Sequence, residues 1–434
     1  MRTSDDDVLY IENCRYIEGE VDLPGDKSIS HRAIILSSIA KGRSSIRGIQ
    51  KGKDCLATIG CMRKLGVKIK EENNKLIVDG SGMDGLKEPE DVLNCKNSGT
   101  TMRILSGVLA AQRFYSVLTG DSSLRKRPMR RIIDPLSMMG AEILAREGFF
   151  PPLSIRGGNL RGINYTLPVA SAQVKSCLIL AGLYARGKTR IREPFLSRDH
   201  TERMLRYMGV KLDKKDLEIE ISGGQELQAR DLFIPGDISS GAFFAGAAAI
   251  LKGSCVVLKK VGINPTRSLF LKVLKDMGAD VKIHDRKVIC EEEVAEVEVR
   301  GTGDLKGIRI SENLIPQIID EIPILAVVAC FARGKTLIEG AMELRVKETD
   351  RIKALVNELG KMGARIEEKK DGMLIQGEGM LKGAQVKSWG DHRIAMALAI
   401  AGICARGITR IDNAQCIDIS FPGFRNKLFK LVKN

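Results

Sequence analysis

The chain has 434 residues, 44% of them hydrophobic and 28% charged, and its formal net charge is +15. This length suits two or three ordinary domains. The longest apolar run, Ile322 to Ala332, is too short to span a bilayer. The polar, acidic stretch Met1 to Asp7 lacks the pattern of a secretory signal, so we expect the protein to stay in the cytoplasm.

Cysteine and histidine usage predicts neither disulfides nor a metal site. The ten cysteines form no Cys-x-x-Cys pair, and the four histidines form no His-x-x-x-His pair. The positive charge leaves nucleic acid and an anionic metabolite open as ligands. Aromatic residues make up only 4% of the chain, which argues against a stacking platform for single-stranded nucleic acid.

A turn of the form Ala-x-Gly-x-Thr-x-Ile recurs along the chain, roughly every 65 to 80 residues. Each copy follows an Ala/Leu/Ile-rich helical stretch and precedes a short β-branched stretch, so its glycine fits a helix C-cap. The clear copies begin at Ala40, Ala185, Ala332 and Ala405, and looser ones begin at Ala111 and Leu251.

A second turn lies between these copies, at the end of an amphipathic helix and before an alternating strand. Its five copies are Leu65-Gly66-Val67, Met139-Gly140-Ala141, Met208-Gly209-Val210, Met277-Gly278-Ala279 and Met362-Gly363-Ala364. A sixth helix, Phe424 to Val432, ends the chain. Helical and strand periods therefore alternate in six units, which predicts an α/β fold.

Two of the six units begin with the same Pro-Gly-Asp-x-Ser phrase, at Pro24 and at Pro235. If the phrase marks equivalent places in two halves, the chain passes between domains near residues 24 and 236. We expect one domain over 25–236 and a second that combines 1–24 with 237–434.

The first helix of each unit begins with capping residues, which expose backbone N–H groups that attract anions. In chain order the starts lie at Gly25 to Arg32, Asn97 to Arg103, Ser171 to Gln173, Gly236 to Ser240, Asp320 to Pro323 and Gly390 to Arg393. Lys27, Arg32 and Arg393 add positive charge there. Basic loops precede the second helices, including Leu124 to Pro128, Leu196 to His200 and Leu344 to Arg351. Several such starts together predict a site for phosphate and carboxylate groups.

Four strings in this order resemble the 5-enolpyruvylshikimate-3-phosphate synthase family across essentially the whole chain. They are Lys27-Ser28-Ile29-Ser30-His31-Arg32, Asn97-Ser98-Gly99-Thr100-Thr101-Met102-Arg103, Arg345-Val346-Lys347-Glu348-Thr349-Asp350-Arg351 and Asp391-His392-Arg393. The resemblance implies two similar domains, each of three βαβαββ units around a pseudo-threefold axis, in an inside-out α/β barrel. It places the active site in the interdomain cleft.

The resemblance also implies two sets of binding residues. Shikimate 3-phosphate would be held by Lys27, Ser28, Arg32, Ser171, Ala172 (through its backbone), Gln173, Ser197, Arg198, Asp320 and Lys347. Phosphoenolpyruvate would be held by Lys27, Gly99, Arg127, Gln173, Arg351 and Arg393.

The implied reaction transfers the enolpyruvyl group of phosphoenolpyruvate to the 5-hydroxyl of shikimate 3-phosphate, by addition and then elimination of phosphate. It belongs to the shikimate pathway to chorismate and the aromatic amino acids. Asp320, with Lys27, is the candidate base for the hydroxyl, and Glu348 is the candidate proton donor to carbon. The reaction requires no metal and no organic cofactor. The resemblance suggests a monomer with small-molecule substrates and neither a nucleic-acid nor a membrane partner.

Some positions depart from the family pattern. Ala172 replaces a serine that is common in relatives, and His200 lies near a position where some members have tyrosine. Glu343 stands where others have asparagine, and Ile419 where some have lysine.

Two alternatives remain open. A related enolpyruvyl transferase acts on UDP-N-acetylglucosamine, but it has a reactive cysteine in a loop that corresponds here to Asp121 to Arg127, which contains none. An RNA-end-processing protein of the same repeat fold would suit the basic charge, although scarce aromatics and scattered lysines disfavour it.

Overall fold

The computed structural model describes residues 7–433, which fall into two compact units. The first, here the central unit, contains residues 25–235 and 288–292. The second, the terminal unit, contains residues 7–24, 236–287 and 293–433. Two details differ from the expected domains: residues 288–292 group with the central unit, and residue 236 groups with the terminal unit.

Within residues 7–433 the chain forms thirteen α-helices. They are α1 Lys27–Ile39, α2 Lys53–Lys64, α3 Gly99–Leu109, α4 Arg130–Met138, α5 Ala172–Tyr184, α6 His200–Tyr207, α7 Ile238–Ile250, α8 Leu269–Asp276, α9 Ile315–Ile318, α10 Ile322–Phe331, α11 Arg351–Lys361, α12 His392–Cys404 and α13 Phe424–Leu431. Short 3₁₀ helices occupy Leu124–Lys126, Glu312–Leu314, Met342–Val346 and Ala414–Ile419.

The same residues form twenty-four strands. They are β1 Val8–Glu12, β2 Tyr16–Asp22, β3 Lys41–Arg47, β4 Lys68–Glu72, β5 Lys75–Ser81, β6 Leu93–Asn94, β7 Tyr115–Thr119, β8 Glu142–Arg146, β9 Phe150–Arg156, β10 Asn164–Thr166, β11 Lys188–Arg192, β12 Leu212–Lys215, β13 Glu218–Ser222, β14 Leu232–Phe233, β15 Cys255–Gly262, β16 Asp280–Ile289, β17 Glu292–Arg300, β18 Arg309–Ile310, β19 Gly334–Ile338, β20 Arg365–Lys369, β21 Gly372–Gly377, β22 Gln385–Lys387, β23 Ile408–Asp412 and β24 Val432–Lys433.

The central unit contains three four-stranded sheets built to one plan. Their strand orders are β14-β3-β5-β4, β6-β7-β9-β8 and β10-β11-β13-β12. In each sheet the first pair is parallel and the other two pairs are antiparallel. The last strand of the unit, β14, pairs with the first, β3, so the repeat closes on itself.

The terminal unit repeats this plan with variations. Its sheet β18-β19-β21-β20 has the same order, while β1-β23-β22 and β16-β17-β15-β2-β24 recruit strands from the N-terminal segment. The two units together contain six sheets, which agrees with the six repeats in the sequence. The predicted α/β fold of repeated units is confirmed.

The two recurring turns have different geometry. Leu65 and Met139 are C-cap residues, and the glycine after each has φ of +87° or +109°, as a C′ glycine requires. In the Ala-x-Gly turn the C-cap is instead the alanine, such as Ala185, in an extended conformation. Its glycine follows two residues later at positive φ, as at Gly187. The predicted glycine C-cap is therefore wrong for this turn.

The first helix of each repeat is buried along nearly its whole length and packs in its unit's core. These helices are α1, α3 and α5 in the central unit and α7, α10 and α12 in the terminal unit. Each unit has its own apolar core cluster. Because these helices are buried on all sides, polar contacts with solvent and ligands are confined to their ends.

No single helix in the described part of the chain is long and apolar enough to cross a membrane. The helical segments Glu312–Ile318 and Ile322–Phe331 are long and apolar enough only when they are counted as one, and they are bent by 113° relative to each other.

The close packing of α3 on α5 gives a stability prediction. A Cβ on Gly107 would lie 2.1 Å from the carbonyl oxygen of Cys177, a backbone atom that cannot move alone. We expect Gly107→Ala to destabilise the central unit by about 2–3 kcal/mol and to lower the apparent thermal midpoint by at least about 4 °C.

Gly60→Ala is the matched control, because Gly60 lies in α2 and a Cβ there would meet no atom within 4 Å. Its midpoint should stay unchanged or rise, since alanine favours a helix by about 0.5–1 kcal/mol. Equal midpoints for the two variants in a thermal melt would contradict the packing of α3 on α5.

Candidate active site

Arg32 joins the N-terminal ends of α1 and α5 to α6 in the central unit. Its Nη1 donates to the Ser28 carbonyl at 2.8 Å, Nη2 to Ser176 Oγ at 2.7 Å and Nε to Thr201 Oγ1 at 2.6 Å. Burial, with Arg198 nearby, lowers the pKa of Arg32 to about 10. Within residues 7–433 every hydrogen-bond acceptor of this guanidinium is neutral, so a buried cation remains available to an anion.

The ends of α1 and α5 hold the neighbouring candidate residues. Asp26 caps α1 through the Ile29 N–H, and Ser171 caps α5 through the Val174 N–H. Lys27 forms an ion pair with Asp54, and Arg198 Nη1 donates to Ser28 Oγ at 3.3 Å. The Ala172 carbonyl accepts from Arg32 Nη2 at 3.4 Å. The central unit thus brings Lys27, Ser28, Arg32, Ser171, Ala172 and Arg198 together.

The N-terminal end of α3 meets α5 through Gln173. The Gln173 amide accepts from Arg103 Nη1 at 2.6 Å and donates to Thr100 Oγ1 at 2.9 Å. Both ends of the amide are therefore fixed within the unit. Arg103, which ends the Asn97 to Arg103 string, was not among the expected site residues, although it holds Gln173.

Gly99 opens α3 beside two guanidinium groups. Arg127 Nη2 donates to Asn97 Oδ1 at 2.7 Å, which holds its guanidinium near this helix end. A Cβ on Gly99 would lie 3.0 Å from Arg103 Nη1 and 3.5 Å from Arg127 Nη1. The absence of a side chain keeps this space open, so an anion can approach the helix end and both arginines.

Ser197 is 2% exposed and its hydroxyl donates to the Glu193 carboxylate. Glu193 also accepts from the buried Lys175 Nζ at 2.7 Å, and Glu202 lies 2.9 Å from the same ammonium. Burial lowers the pKa of Lys175, but the two carboxylates outweigh it and the net pKa is raised. Because the Ser197 hydroxyl has one proton, it cannot donate to Glu193 and to a phosphate at once.

His200 is 1% exposed and lies in the same region of the central unit. Its Nδ1 is 2.7 Å from Glu292 Oε1. Glu292 belongs to the segment 288–292, whose place in this unit the sequence did not indicate.

Arg351 is a cation of the terminal unit that is only 1% exposed. Its Nε donates to Asp391 at 2.8 Å and its Nη2 to Glu348 at 2.7 Å. Burial lowers the pKa of Arg351, but Asp391, Glu348 and Asp320 together raise it above its usual value. Nη1 is buried and makes no hydrogen bond within residues 7–433; the Asp320 carboxylate lies 3.6 Å away.

Asp320 and Arg393 lie at the starts of α10 and α12. Arg393 Nη1 donates to the Asp320 carbonyl at 3.1 Å, and its Nη2 is 3.5 Å from the Asp320 carboxylate. Asp391 caps α12 by accepting from the Arg393 N–H at 2.8 Å. Two guanidinium groups therefore flank the Asp320 carboxylate.

Lys347 and Glu348 complete the terminal group. Burial is the main cause that lowers the pKa of Lys347, with Arg351 adding to it, while Asp320 and Glu348 oppose the shift. Glu348 is half-buried and paired with Arg351. The structure thus brings Asp320, Lys347, Glu348, Arg351 and Arg393 into one charged group.

Three acidic residues that hold these groups were not among the expected site residues. They are Asp54 on Lys27, Glu193 on Ser197 and Asp391 on Arg351. Asp391 has a signal in the sequence, the helix cap before His392-Arg393, but Asp54 and Glu193 have none. Among residues 7–433, no group of three or more His, Cys, Asp or Glu side chains could hold a metal ion.

Comparison with known proteins places this arrangement in a family. The family model described as EPSP synthase (3-phosphoshikimate 1-carboxyvinyltransferase) matches residues 11–428. The chain belongs to the EPSP synthase family.

Relatives match it over nearly their whole length. The 3-phosphoshikimate 1-carboxyvinyltransferase of Alkaliphilus metalliredigens is 50% identical over 427 residues, which cover 98% of this chain and 100% of that protein. That of Geobacter sulfurreducens is 50% identical over 419 residues, with coverage of 96% and 97%. The solved EPSP synthase of Acinetobacter baumannii has a TM-score of 0.87 at 43% identity and covers 98% of both chains. The EPSP synthase-like fold that the strings implied is confirmed.

The buried pair of Arg351 and Asp391 gives a second prediction. Asp391→Asn keeps the shape and the helix cap but removes the charge that faces the guanidinium. Breaking a buried ion pair costs about 3–5 kcal/mol, and we expect a loss near the lower limit because Glu348 remains.

Glu339→Gln is the control, since Glu339 pairs with Arg309 at 2.8 Å on the surface of the same unit. This change should cost less than about 1 kcal/mol. Urea unfolding that shows equal stability losses for the two variants would contradict the burial of the Arg351 charge.

Proposed function

We propose that this protein is a 3-phosphoshikimate 1-carboxyvinyltransferase. It transfers the enolpyruvyl group of phosphoenolpyruvate to the 5-hydroxyl of shikimate 3-phosphate and releases phosphate. The observation that carries the proposal is the buried Arg32 guanidinium, whose hydrogen-bond partners in α1, α5 and α6 are all neutral. Relatives that are 50% identical over nearly their whole length have this activity in their names.

The distribution of charge supports anionic substrates. Residues 25–235 and 288–292 contain 36 Lys and Arg against 24 Asp and Glu, a net charge of +12. The remaining residues contain 33 against 30, a net charge of +3. Most of the positive charge therefore belongs to the unit with Arg32, Arg127 and Arg198.

In the proposed shikimate 3-phosphate site, Arg32 and Arg198 bind the phosphate with the N–H groups at the starts of α1 and α5. Lys27, Ser28, Ser171, the Ala172 backbone and Gln173 complete the central part. Asp320 and Lys347 contribute from the terminal unit. Ser197 remains a proposed residue of this site, and the bond of its hydroxyl to Glu193 also anchors the loop that carries Arg198.

In the proposed phosphoenolpyruvate site, Arg127 and the start of α3 at Gly99 bind one end of the substrate with Lys27 and Gln173. Arg351 and Arg393 bind the other end. Arg351 Nη1, buried and without a hydrogen bond among the described residues, is a donor suited to a carboxylate or phosphate oxygen.

The proposed chemistry is addition followed by elimination. Asp320, kept ionised by Arg351 and Arg393, takes the proton of the 5-hydroxyl as its oxygen attacks C2 of phosphoenolpyruvate. Glu348 protonates C3, which gives a tetrahedral ketal phosphate. Loss of phosphate and return of a C3 proton to Glu348 then yield the enol ether. The cations around both substrates stabilise the charge that develops at the phosphates.

Glu348 must be protonated to act as the donor, although Arg351 favours its ionised form. An anionic group of phosphoenolpyruvate on Arg351 would compete with Glu348 for the guanidinium. It would also place a negative charge near the carboxyl group, which favours the neutral form. Substrate binding itself thus provides a reason for Glu348 to take up a proton.

Small-molecule substrates, a monomeric state and a cytoplasmic location remain part of the proposal. All ten cysteines are free thiols, which suits a reducing compartment.

The test is phosphate release from phosphoenolpyruvate, with and without shikimate 3-phosphate, in buffer containing a chelator. We expect release only when both substrates are present. Lys27→Met and Asp320→Asn should each lower kcat by about 10²–10⁴-fold, because each removes a group placed at the reacting atoms. Lys64→Met, which alters an exposed lysine of α2 paired with Asp91, should keep kcat within about twofold.

Release that does not depend on shikimate 3-phosphate would refute the proposal. A response to UDP-N-acetylglucosamine or RNA alone would favour the corresponding alternative.

A further inference from the structure

Asp54 is a buried acid that the chemistry above does not use. It lies in the first turn of α2, is 5% exposed, and its carboxylate pairs with the Lys27 ammonium from α1. A carboxylate beside an anion-binding site weakens ground-state binding of anions. Its presence there therefore calls for a reason other than affinity.

A chain of buried side chains ties α2 to the two helices whose ends form the proposed site. His31 Nδ1 lies 2.7 Å from Thr58 Oγ1, and Thr58 Oγ1 lies 2.7 Å from Thr101 Oγ1. Thr101 Oγ1 donates to Ser98 Oγ at 2.7 Å, and Ser98 caps α3. Residues of α1, α2 and the α3 cap are thus joined by three short hydrogen bonds.

The protonation of His31 determines which atom donates in each of these hydrogen bonds. Burial, with Lys27 as the next cause, lowers the pKa of His31 to about 3, so the ring is neutral near pH 7. Its Nε2 is buried and has no hydrogen-bond partner within residues 7–433. A buried donor without a partner is rarer than a buried acceptor without one, so the proton is on Nδ1. The hydrogen bonds then run from His31 through Thr58 and Thr101 to Ser98.

We propose that Asp54 is a positioning residue for Lys27 in the transfer reaction, a role that rests on the proposed function. Lysine has a flexible stem of four carbons, and its ammonium can follow any nearby anion. Asp54 lies on α2, and the hydrogen bonds from His31 to Ser98 fix this helix to α1 and α3. The Asp54 carboxylate therefore restricts the Lys27 ammonium to one place. The effect on the reaction is geometric: Lys27 stays at the reacting atoms and does not move with a substrate phosphate.

The test is Asp54→Asn, compared with wild type by calorimetric titration of shikimate 3-phosphate and by phosphate-release kinetics. We expect kcat to fall at least tenfold while the Kd of shikimate 3-phosphate stays within threefold or becomes tighter, since a negative charge is removed. Asp54→Glu, which keeps the carboxylate, should recover part of kcat. Asp91→Asn removes an exposed partner of Lys64 on the same helix and should change neither quantity.

A double substitution separates positioning from support of the fold. In the Lys27→Met background the Asp54 carboxylate has lost its lysine, so adding Asp54→Asn should tighten binding of shikimate 3-phosphate. A structural role predicts that Asp54→Asn weakens binding in both backgrounds and lowers the thermal midpoint. If Asp54→Asn fails to fold, the proposal is judged on Asp54→Glu: an Asp54→Glu variant with wild-type stability but no recovery of kcat above Lys27→Met overturns it.

Failure of the proposed function can be distinguished from failure of the role proposed for Asp54. A wild-type protein without release dependent on shikimate 3-phosphate would sink the proposed function. A wild-type protein with that activity, together with an Asp54→Asn variant that keeps full kcat, would sink only the role of Asp54.

Discussion

The carboxylates paired with Arg351 and Lys27 both balance the charge of these cations and fix their positions. A buried guanidinium or ammonium is costly unless a counter-charge with good geometry lies beside it. Arg351 has Asp391 and Glu348 at hydrogen-bond distance, and Lys27 has Asp54. These acids lie at or within one turn of helix starts, so each cation is fixed to a rigid element. The helix ends can then be buried without losing the positive charge that the proposed substrates need.

Arg32 is the informative exception. Arg32 is 3% exposed, nearly as buried as Arg351, yet it is held only by backbone carbonyls and hydroxyl groups. Its environment fixes the position of the guanidinium but leaves its charge unbalanced by any hydrogen-bonded acid. An anionic ligand can supply the balancing negative charge. The substrate after which the family is named, shikimate 3-phosphate, carries a phosphate group that could do so.

Local patterns predicted most of the fold. The Met-Gly turns and the capped helix starts depend on residues close in sequence, so six units and the sites of the helix ends could be recognised from the chain alone. The strings around Lys27, Gly99 and Arg351 also named most of the candidate residues. The partners of those residues could not be predicted, because Asp54 reaches Lys27, and Glu193 reaches Lys175, only through tertiary packing.

Two polar contacts in the central unit could not be predicted from the sequence. Ser197 has the type and position of a phosphate ligand, but its hydroxyl donates to Glu193, which no spacing rule indicates. Residues 288–292 follow a strand of one unit yet group with the other, where Glu292 contacts His200. The first contact joins residues four apart in a loop and the second joins residues 92 apart. Single-sequence patterns indicate neither contact, because they report only local periodicity and capping.

The central claim is that the protein transfers an intact enolpyruvyl group by addition and elimination. The most direct measurement is rapid chemical quench of excess enzyme with shikimate 3-phosphate and carboxyl-labelled phosphoenolpyruvate. We expect a transient species that contains the labelled carbon and both phosphates, followed by labelled enol ether and free phosphate in equal amounts. Label recovered as pyruvate, or attached to the protein, with no transfer to shikimate 3-phosphate, would contradict it.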